Sequence, residues 1–301
     1  MSIETVIAEI GSDRLLPIAL PFFALALILE SAISRYRQRE LYEGKDFLAS
    51  MSMLVLSAIV DLLPKMAAIV VFYYLHELTP LRDVVQRQWW AWVLLFFLDD
   101  FIYYWFHRAN HEVRLFWAGH VPHHSSQKLN FGTALRQGVG ERIHKYFFWL
   151  PLPLLGFDAV MIFTMISLNL IYQFWVHTEL VNRLPKLIEA VFNTPSHHRV
   201  HHGSNTAYLD RNHGGVLIIW DKCFGTFAEE QTLEPVIYGL TKNINTYNPI
   251  KVAASEYANL AGDVMRARNW LDKARYIVLA PGWSHDGPDL RANTQRKAIS
   301  T

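Results

Sequence analysis

Cysteine is almost absent from this chain: there is one, Cys223, in 301 residues. That excludes an internal disulfide, a cysteine-built zinc site and a cysteine-ligated iron–sulfur cluster. Charge is scarce too. Asp, Glu, Lys and Arg make up 18% of the residues, against roughly 25% in an average soluble domain. The net charge of +1 provides no basic field for nucleic acid. No internal repeat breaks the chain into units. What is present is 51% hydrophobic residues, 10 Trp and 14 His. This composition excludes a disordered chain and argues against an ordinary soluble enzyme.

The apolar residues come in long runs. Leu15 to Ile33 is long enough to cross a hydrocarbon core of ~30 Å at 1.5 Å per residue. Acidic Glu4 and Glu9 precede it, where a secretory signal needs positive charge, so it reads as a retained membrane helix. The second stretch, 47–78, is interrupted by Asp61, Pro64 and Lys65 and reads as one long helix kinked near Pro64. The third, 89–106, opens on Trp89, Trp90 and Trp92, which suit a headgroup interface. The fourth, 146–177, is broken at Pro151, Pro153 and Gly156 and reads as a hairpin. These features predict an all-α integral membrane protein with about four membrane helices or hairpin segments. A helical domain carrying a histidine-rich two-metal site caps them.

Counting crossings puts residues 107–145 and 178–250 on the same side as the loop containing Arg35, Arg37, Arg39 and Lys45. The opposite loop has only Arg82 and Arg87, so the positive-inside rule places the shared side in the cytosol. The chain is then expected to be a multi-pass protein of a bacterial inner membrane or the endoplasmic reticulum. Residues 251–280 have the pattern of amphipathic helices, lying either on the membrane surface or against the cytosolic domain. Residues 1–288 form one domain on this reading. Residues 289–301 show no apolar face and are expected to be a disordered tail.

The histidines are clustered. His107 and His111 are spaced i, i+4 at the end of the third membrane helix, on one helical face. His120-x-x-His123-His124 follows, and His198-x-x-His201-His202 repeats its spacing. His177 ends the last membrane helix. Neutral imidazole is a good ligand for iron, zinc and copper. One zinc needs only three or four ligands, so a set this large suits two ions. His197 and His213 are candidates for a further ligand or an outer partner, while His76, His144 and His285 read as surface or satisfied core residues.

Other polar residues extend the candidate site. Asp100 stands two turns before His107 and is expected to accept a hydrogen bond from a ligating imidazole. A pair with Arg108 or Arg136 is its bland alternative. Glu112, next to His111, is a candidate base or a structural partner. Glu141 and Asp221 are weaker candidates for the outer role. Asn169, Gln173 and His177 lie four apart as one polar stripe on an apolar helix. Such a stripe normally faces a protein cavity, which makes Asn169 and Gln173 candidate contacts for a substrate.

The three clusters, with Tyr103-Tyr104-Trp105-Phe106-His107-Arg108, Gln173-Phe174-Trp175-Val176-His177 and Asn193-Thr194-Pro195-Ser196-His197-His198, resemble the fatty acid hydroxylase / sterol desaturase superfamily. The wording over about residues 47–285 is similar to its alkylglycerol monooxygenase branch and shorter bacterial relatives. The resemblance implies metal ligands at His107, His111, His120, His123, His124, His198, His201 and His202, with His177 a further important histidine. His213 stands where the branch usually has Tyr. The resemblance also implies two Fe ions that use O2 to hydroxylate an unactivated carbon of a membrane lipid. In the branch that carbon adjoins an ether oxygen, the product collapses to glycerol and a fatty aldehyde, and tetrahydrobiopterin supplies electrons; a reductase is the other candidate donor. Zinc can take the place of iron in purified samples, because histidine sites bind it readily.

Competing readings remain. Desaturation or hydroxylation of a sterol or fatty acyl chain, or hydroxylation of a lipid headgroup, would use the same residues. A metal transporter would hold its ions near the bilayer midplane between broken helices, whereas these clusters lie beyond the helix ends. A zinc hydrolase of the His-Glu-x-x-His type fails at Leu115, where the second His would stand.

Overall fold

A computed structural model describes residues 2–12 and 14–299. The first helices are α1 (Ile3–Gly11) and α2 (Leu15–Tyr36). Along α2 the side chains of Leu20, Phe22, Leu25, Ile28 and Leu29 are exposed. A bare apolar helix of this length requires an apolar surrounding. The second stretch is two helices, α3 (Gly44–Val60) and α4 (Leu62–Leu78), bent by 44°. The break falls at Asp61, which leaves Pro64 in the first turn of α4, where a missing N–H costs nothing.

After the short α5 (Arg82–Val85), α6 (Trp89–Glu112) runs for 24 residues, about 36 Å. That length carries His107 and His111 past the end of the apolar segment. Among the described residues, Ile3–Tyr36 and Ala159–Val176 are long and apolar enough to cross a membrane; the bent α3–α4 pair passes the same test only when its two helices are taken together, as a broken span or a re-entrant loop. The expected third segment, 89–106, is helical but is not among them: its tyrosines, tryptophans and two aspartates make it less apolar.

The expected hairpin is present as α9 (Glu141–Trp149), α10 (Pro151–Leu154) and α11 (Ala159–Val176). The chain turns at Gly156, φ +94°, where an added Cβ would stand 2.7 Å from the Leu81 backbone. Asp158 then caps α11 by accepting the Met161 N–H at 3.0 Å. The apolar core joins Phe72 of α4, Leu95 and Phe106 of α6, Trp149 of α9 and Ile162 of α11.

At one end of this bundle α6 continues into α7 (Arg114–His124), followed by α8 (Phe131–Ala134). Beyond α11 come α12 (Lys186–Val191), α13 (Pro195–His201) and α14 (Ile219–Phe224). Among the described residues there are no strands, only isolated bridges such as Phe192 with Leu217. The stretch 251–280 forms α15 (Pro249–Arg266) and α16 (Trp270–Val278). Helix α15 packs on α7, because buried Arg114 reaches Glu256 at 2.8 Å and Asp263 at 2.6 Å.

Where a disordered tail is expected, Ala292–Ile299 forms a helix, α17; residues 300 and 301 lie outside the described residues. Its anchor is polar, not an apolar face: Arg296 donates to the Leu209 carbonyl.

Candidate metal centre

Helix periodicity sorts the histidines into two groups. His107, His111, His120, His124 and His201 each offer a ring nitrogen, all within 4.8 Å of one another. His123, His177, His198 and His202 form a second set by the same measure. All nine are buried. In each His-x-x-His-His cluster the first and last residues, one turn apart, serve one group, and the middle one, at i+3, crosses to the other. His120 and His124 belong to the five-residue group and His123 to the four. His198 and His202 belong to the four-residue group and His201 to the five.

The spacing suits shared ions. His107 Nε2 and His124 Nε2 each lie 3.2 Å from His120 Nε2. His177 Nε2 lies 3.2 Å from His123 Nε2 and 2.8 Å from His198 Nε2. Nitrogens bound at ~2.05 Å around one tetrahedral ion are separated by about 3.3 Å. The Nε2 atoms of His111 and His201 are buried with no hydrogen-bond partner. Burying such an atom unpaired is costly unless something else binds it. Both atoms belong to the five-residue group, where an ion would supply that partner, and the Nε2 spacings around His177 give the four-residue group a fit to a second ion.

The far ring nitrogens are held in place. His107 Nδ1 meets the His213 carbonyl at 2.9 Å, His123 Nδ1 the Arg136 carbonyl at 3.0 Å, and His201 Nδ1 the Arg211 carbonyl at 3.0 Å. His177 Nδ1 meets the Gln173 carbonyl at 2.7 Å. Two carboxylates do the same work: Glu141 Oε2 is 3.4 Å from His120 Nδ1, and Asp210 Oδ1 is 3.3 Å from His111 Nδ1. Each contact fixes a ring and directs its Nε2 inward. Burial, reinforced by neighbouring imidazoles, pushes His107, His124, His201 and His202 well below the ordinary histidine range. The neutral ring is the form that binds metal. Burial alone would raise the Glu141 carboxyl. Its interactions with His120, Lys145 and His144 outweigh it, and its pKa falls well below the usual carboxylate range.

Several candidates take other roles. Asp100 does not touch an imidazole. It accepts the Val216 N–H at 2.7 Å, the Leu217 N–H at 3.0 Å and the Trp220 indole N–H at 2.9 Å. The loop reaches it because position 215 is glycine, where a Cβ would stand 2.8 Å from Asp100 Oδ1. The alternative arginine pairs are absent as well: Arg136 bonds Asp46 at 3.1 Å and Arg108 bonds Glu112 at 2.9 Å. That i, i+4 pair draws Glu112 away from the histidines to a half-exposed surface position. Asp221 pins the loop bearing His213, accepting the His213 and Gly214 N–H groups at 2.7 Å each.

Asn169 and Gln173 bond to each other and to neighbouring side chains. Trp149 and Asn169 both donate to Asp99, Gln173 donates to Asn169 at 2.6 Å, and Tyr103 donates to Gln173 at 2.6 Å. This chain of bonds braces α6 against α11. His197 turns from the centre toward Glu189, 3.1 Å away. His213 lies outside both groups, its ring 5.0 Å from that of His111, with both nitrogens buried and unpartnered. Asp210 was not among the sequence candidates. Its only local signal is a polar Asp210-Arg211-Asn212 turn, in which Asp210 and Asn212 have positive φ.

Two buried histidine groups, each able to hold a metal ion, at the mouth of a bundle with helices apolar enough to cross a membrane define the class. The fatty acid hydroxylase family matches residues 92–226, which include all nine histidines. Over those residues the chain is similar to the fatty acid hydroxylase family. It is 41% identical to alkylglycerol monooxygenase of Homo sapiens over 279 residues, covering 90% of this chain and 60% of that protein. It is 41% identical to the Xenopus tropicalis protein of that name over 271 residues, 89% of this chain and 59% of that one. For the Danio rerio protein the figure is 38% over 273 residues, 90% and 60%. The chain thus spans about three fifths of the length of these relatives. No solved structure matches it.

Proposed function

We propose that this chain is a membrane di-iron monooxygenase that hydroxylates a lipid C–H bond with O2. Its substrate class on this reading is the alkylglycerol ether lipids, cleaved oxidatively at the carbon beside the ether oxygen. The observation that carries the proposal is the pair of buried histidine groups, together with the likeness to alkylglycerol monooxygenases. The centre lies at the C-terminal ends of α6 and α11, past the apolar stretch of α6, rather than midway between broken helices, which favours an enzyme over a transporter.

His107, His111, His120, His124 and His201 would hold one iron, and His123, His177, His198 and His202 the other. Bound there, the two irons supply the oxygen activation needed to attack an unactivated carbon. The chain contributes the rest. Its buried neutral imidazoles leave the centre without protein carboxylates in direct contact. Glu141 and Asp210 hold the protons on the outer nitrogens of His120 and His111. The Trp149–Asp99–Asn169–Gln173–Tyr103 chain keeps α6 and α11, and with them His107 and His177, at a fixed separation. Burial excludes water from the reacting carbon. A site at the bundle mouth lets a lipid enter from the bilayer without leaving it. The loop charges favour a cytosolic mouth, where tetrahydrobiopterin or a reductase would deliver electrons.

The test compares lipids from cells expressing the unaltered protein and His198→Ala under isotopically heavy oxygen gas. A labelled hydroxyl, or a labelled fatty aldehyde with loss of an ether lipid, is the expected result. Loss of two hydrogens without label would replace hydroxylation with desaturation. No change in any lipid class, even with added ether lipid and reduced pterin, would overturn the reading.

A further inference from the structure

Helix α12 is inverted relative to an ordinary surface helix. It has six residues, and none of them is buried. Leu187 is 85% exposed, and Ile188, Val191 and Phe192 are each about two-fifths exposed. Its one carboxylate points inward. Glu189 accepts the Leu184 N–H at 2.9 Å, the Thr194 hydroxyl at 2.9 Å and the Ser196 hydroxyl at 2.7 Å. Lys222 closes the other end by donating to the Glu189 and Ala190 carbonyls. A helix this short does not form alone in water. Here polar contacts hold it in a pose that presents its apolar side outward.

That outward side continues the apolar surface of the bundle. The next residue after Phe192, Asn193, accepts the Tyr172 hydroxyl of α11 at 2.7 Å. On the other flank α14 places exposed Phe224 4.9 Å from Trp105 of α6, which is itself exposed. Basic Lys186 borders the apolar residues. Exposed leucine and phenylalanine beside membrane helices, with a polar inner face, have the character of an interfacial helix.

We propose that α12 lies in the headgroup region of the bilayer, with Leu187, Ile188, Val191 and Phe192 reaching the acyl chains on the side that holds the histidine groups. Glu189 also faces His197, immediately before His198, so the membrane contact is built onto the wall of the metal centre. This inference rests on the membrane reading of the bundle and not on its oxygen chemistry.

The test uses the full chain in phosphatidylcholine–phosphatidylglycerol liposomes. Cys223→Ser removes the single cysteine, and a nitroxide is attached at Leu187→Cys. Leu25→Cys on α2 provides the acyl-chain reference and Asp286→Cys the aqueous one. The label at 187 is expected to collide more with O2 than with a water-soluble nickel chelate, as at 25 and unlike 286. A label at 187 that behaves as at 286 would overturn the proposal. Screening from both reagents would also overturn it, because a second copy or another protein segment would then cover the helix. Val191→Cys repeats the measurement if the first label disturbs the fold.

Discussion

His123 and His124 are neighbours in the chain and belong to different nitrogen groups. His123 Nε2 lies 3.2 Å from His177 Nε2, whereas His124 Nε2 lies 3.2 Å from His120 Nε2. Consecutive residues on a helix point about 100° apart, so one histidine doublet can serve two ions. His201 and His202 do the same with the groups exchanged. Removing the two neighbours should therefore have distinct effects. His123→Ala leaves its group with three imidazoles and is expected to lose about one metal ion per chain after dialysis. His124→Ala leaves four in its group and is expected to keep both ions, one of them bound about 10- to 100-fold more weakly. Elemental analysis across a chelator titration separates the two.

Glu141 should matter through His120. Glu141→Gln keeps the shape but loses the charge that fixes the ring at 3.4 Å. Metal affinity of the five-histidine group is expected to fall about 10- to 100-fold, with the four-histidine group unchanged. Competition with a chelator of known affinity measures it. Equal weakening of both groups would contradict the assignment.

Glu112 and Asp100 should part in the opposite sense from their closeness to the histidines in sequence. Glu112→Gln breaks a partly exposed pair with Arg108, which costs a few tenths of a kcal/mol, and should leave metal content and activity unchanged. Asp100→Ala strands the buried Val216 and Leu217 N–H groups, which costs about 1–3 kcal/mol each. Thermal unfolding in detergent should show a large drop in Tm for Asp100→Ala and almost none for Glu112→Gln.

The clustered imidazoles predict how the metal-free protein responds to acid. Burial first, then neighbouring imidazoles, pushes His107, His123, His124, His198, His201 and His202 well below the ordinary value. In the unfolded chain they take up protons near pH 6.5. Unfolding then binds protons below that pH, so stability is present above it and is lost as pH falls. Urea midpoints of the metal-free protein should drop steeply between pH 7 and pH 5. A flat profile would contradict the burial of the cluster.

The sequence makes the helices, the hairpin and the histidine spacing legible, because each is local. The division of the histidines into two groups depends on how α6, α7, α11 and α13 meet, which no single segment states. The partner of Asp100 lies 116 residues away, at Val216. A two-turn spacing from His107 suggests a shared helical face but does not show which group the carboxylate will find. The carbonyls of Gln173, Arg136, Arg211 and His213 that orient four rings have no sequence signal, since every residue carries a carbonyl. Asn169 and Gln173 share one face of α11, as their spacing says, but the groups they meet, Asp99 and Tyr103, come from another helix. The tail reads as disordered because it lacks an apolar face; it is helical over Ala292–Ile299 and holds on through Arg296.

The most direct test is the metal content of the full chain purified in detergent from iron-supplemented cells, with the ligand shell read by X-ray absorption. Two ions per chain in a shell dominated by imidazole nitrogen, falling to one in His177→Ala, is the predicted result. One ion or none in the unaltered protein, or two ions unaffected by loss of His177, would contradict a centre built from these two histidine groups.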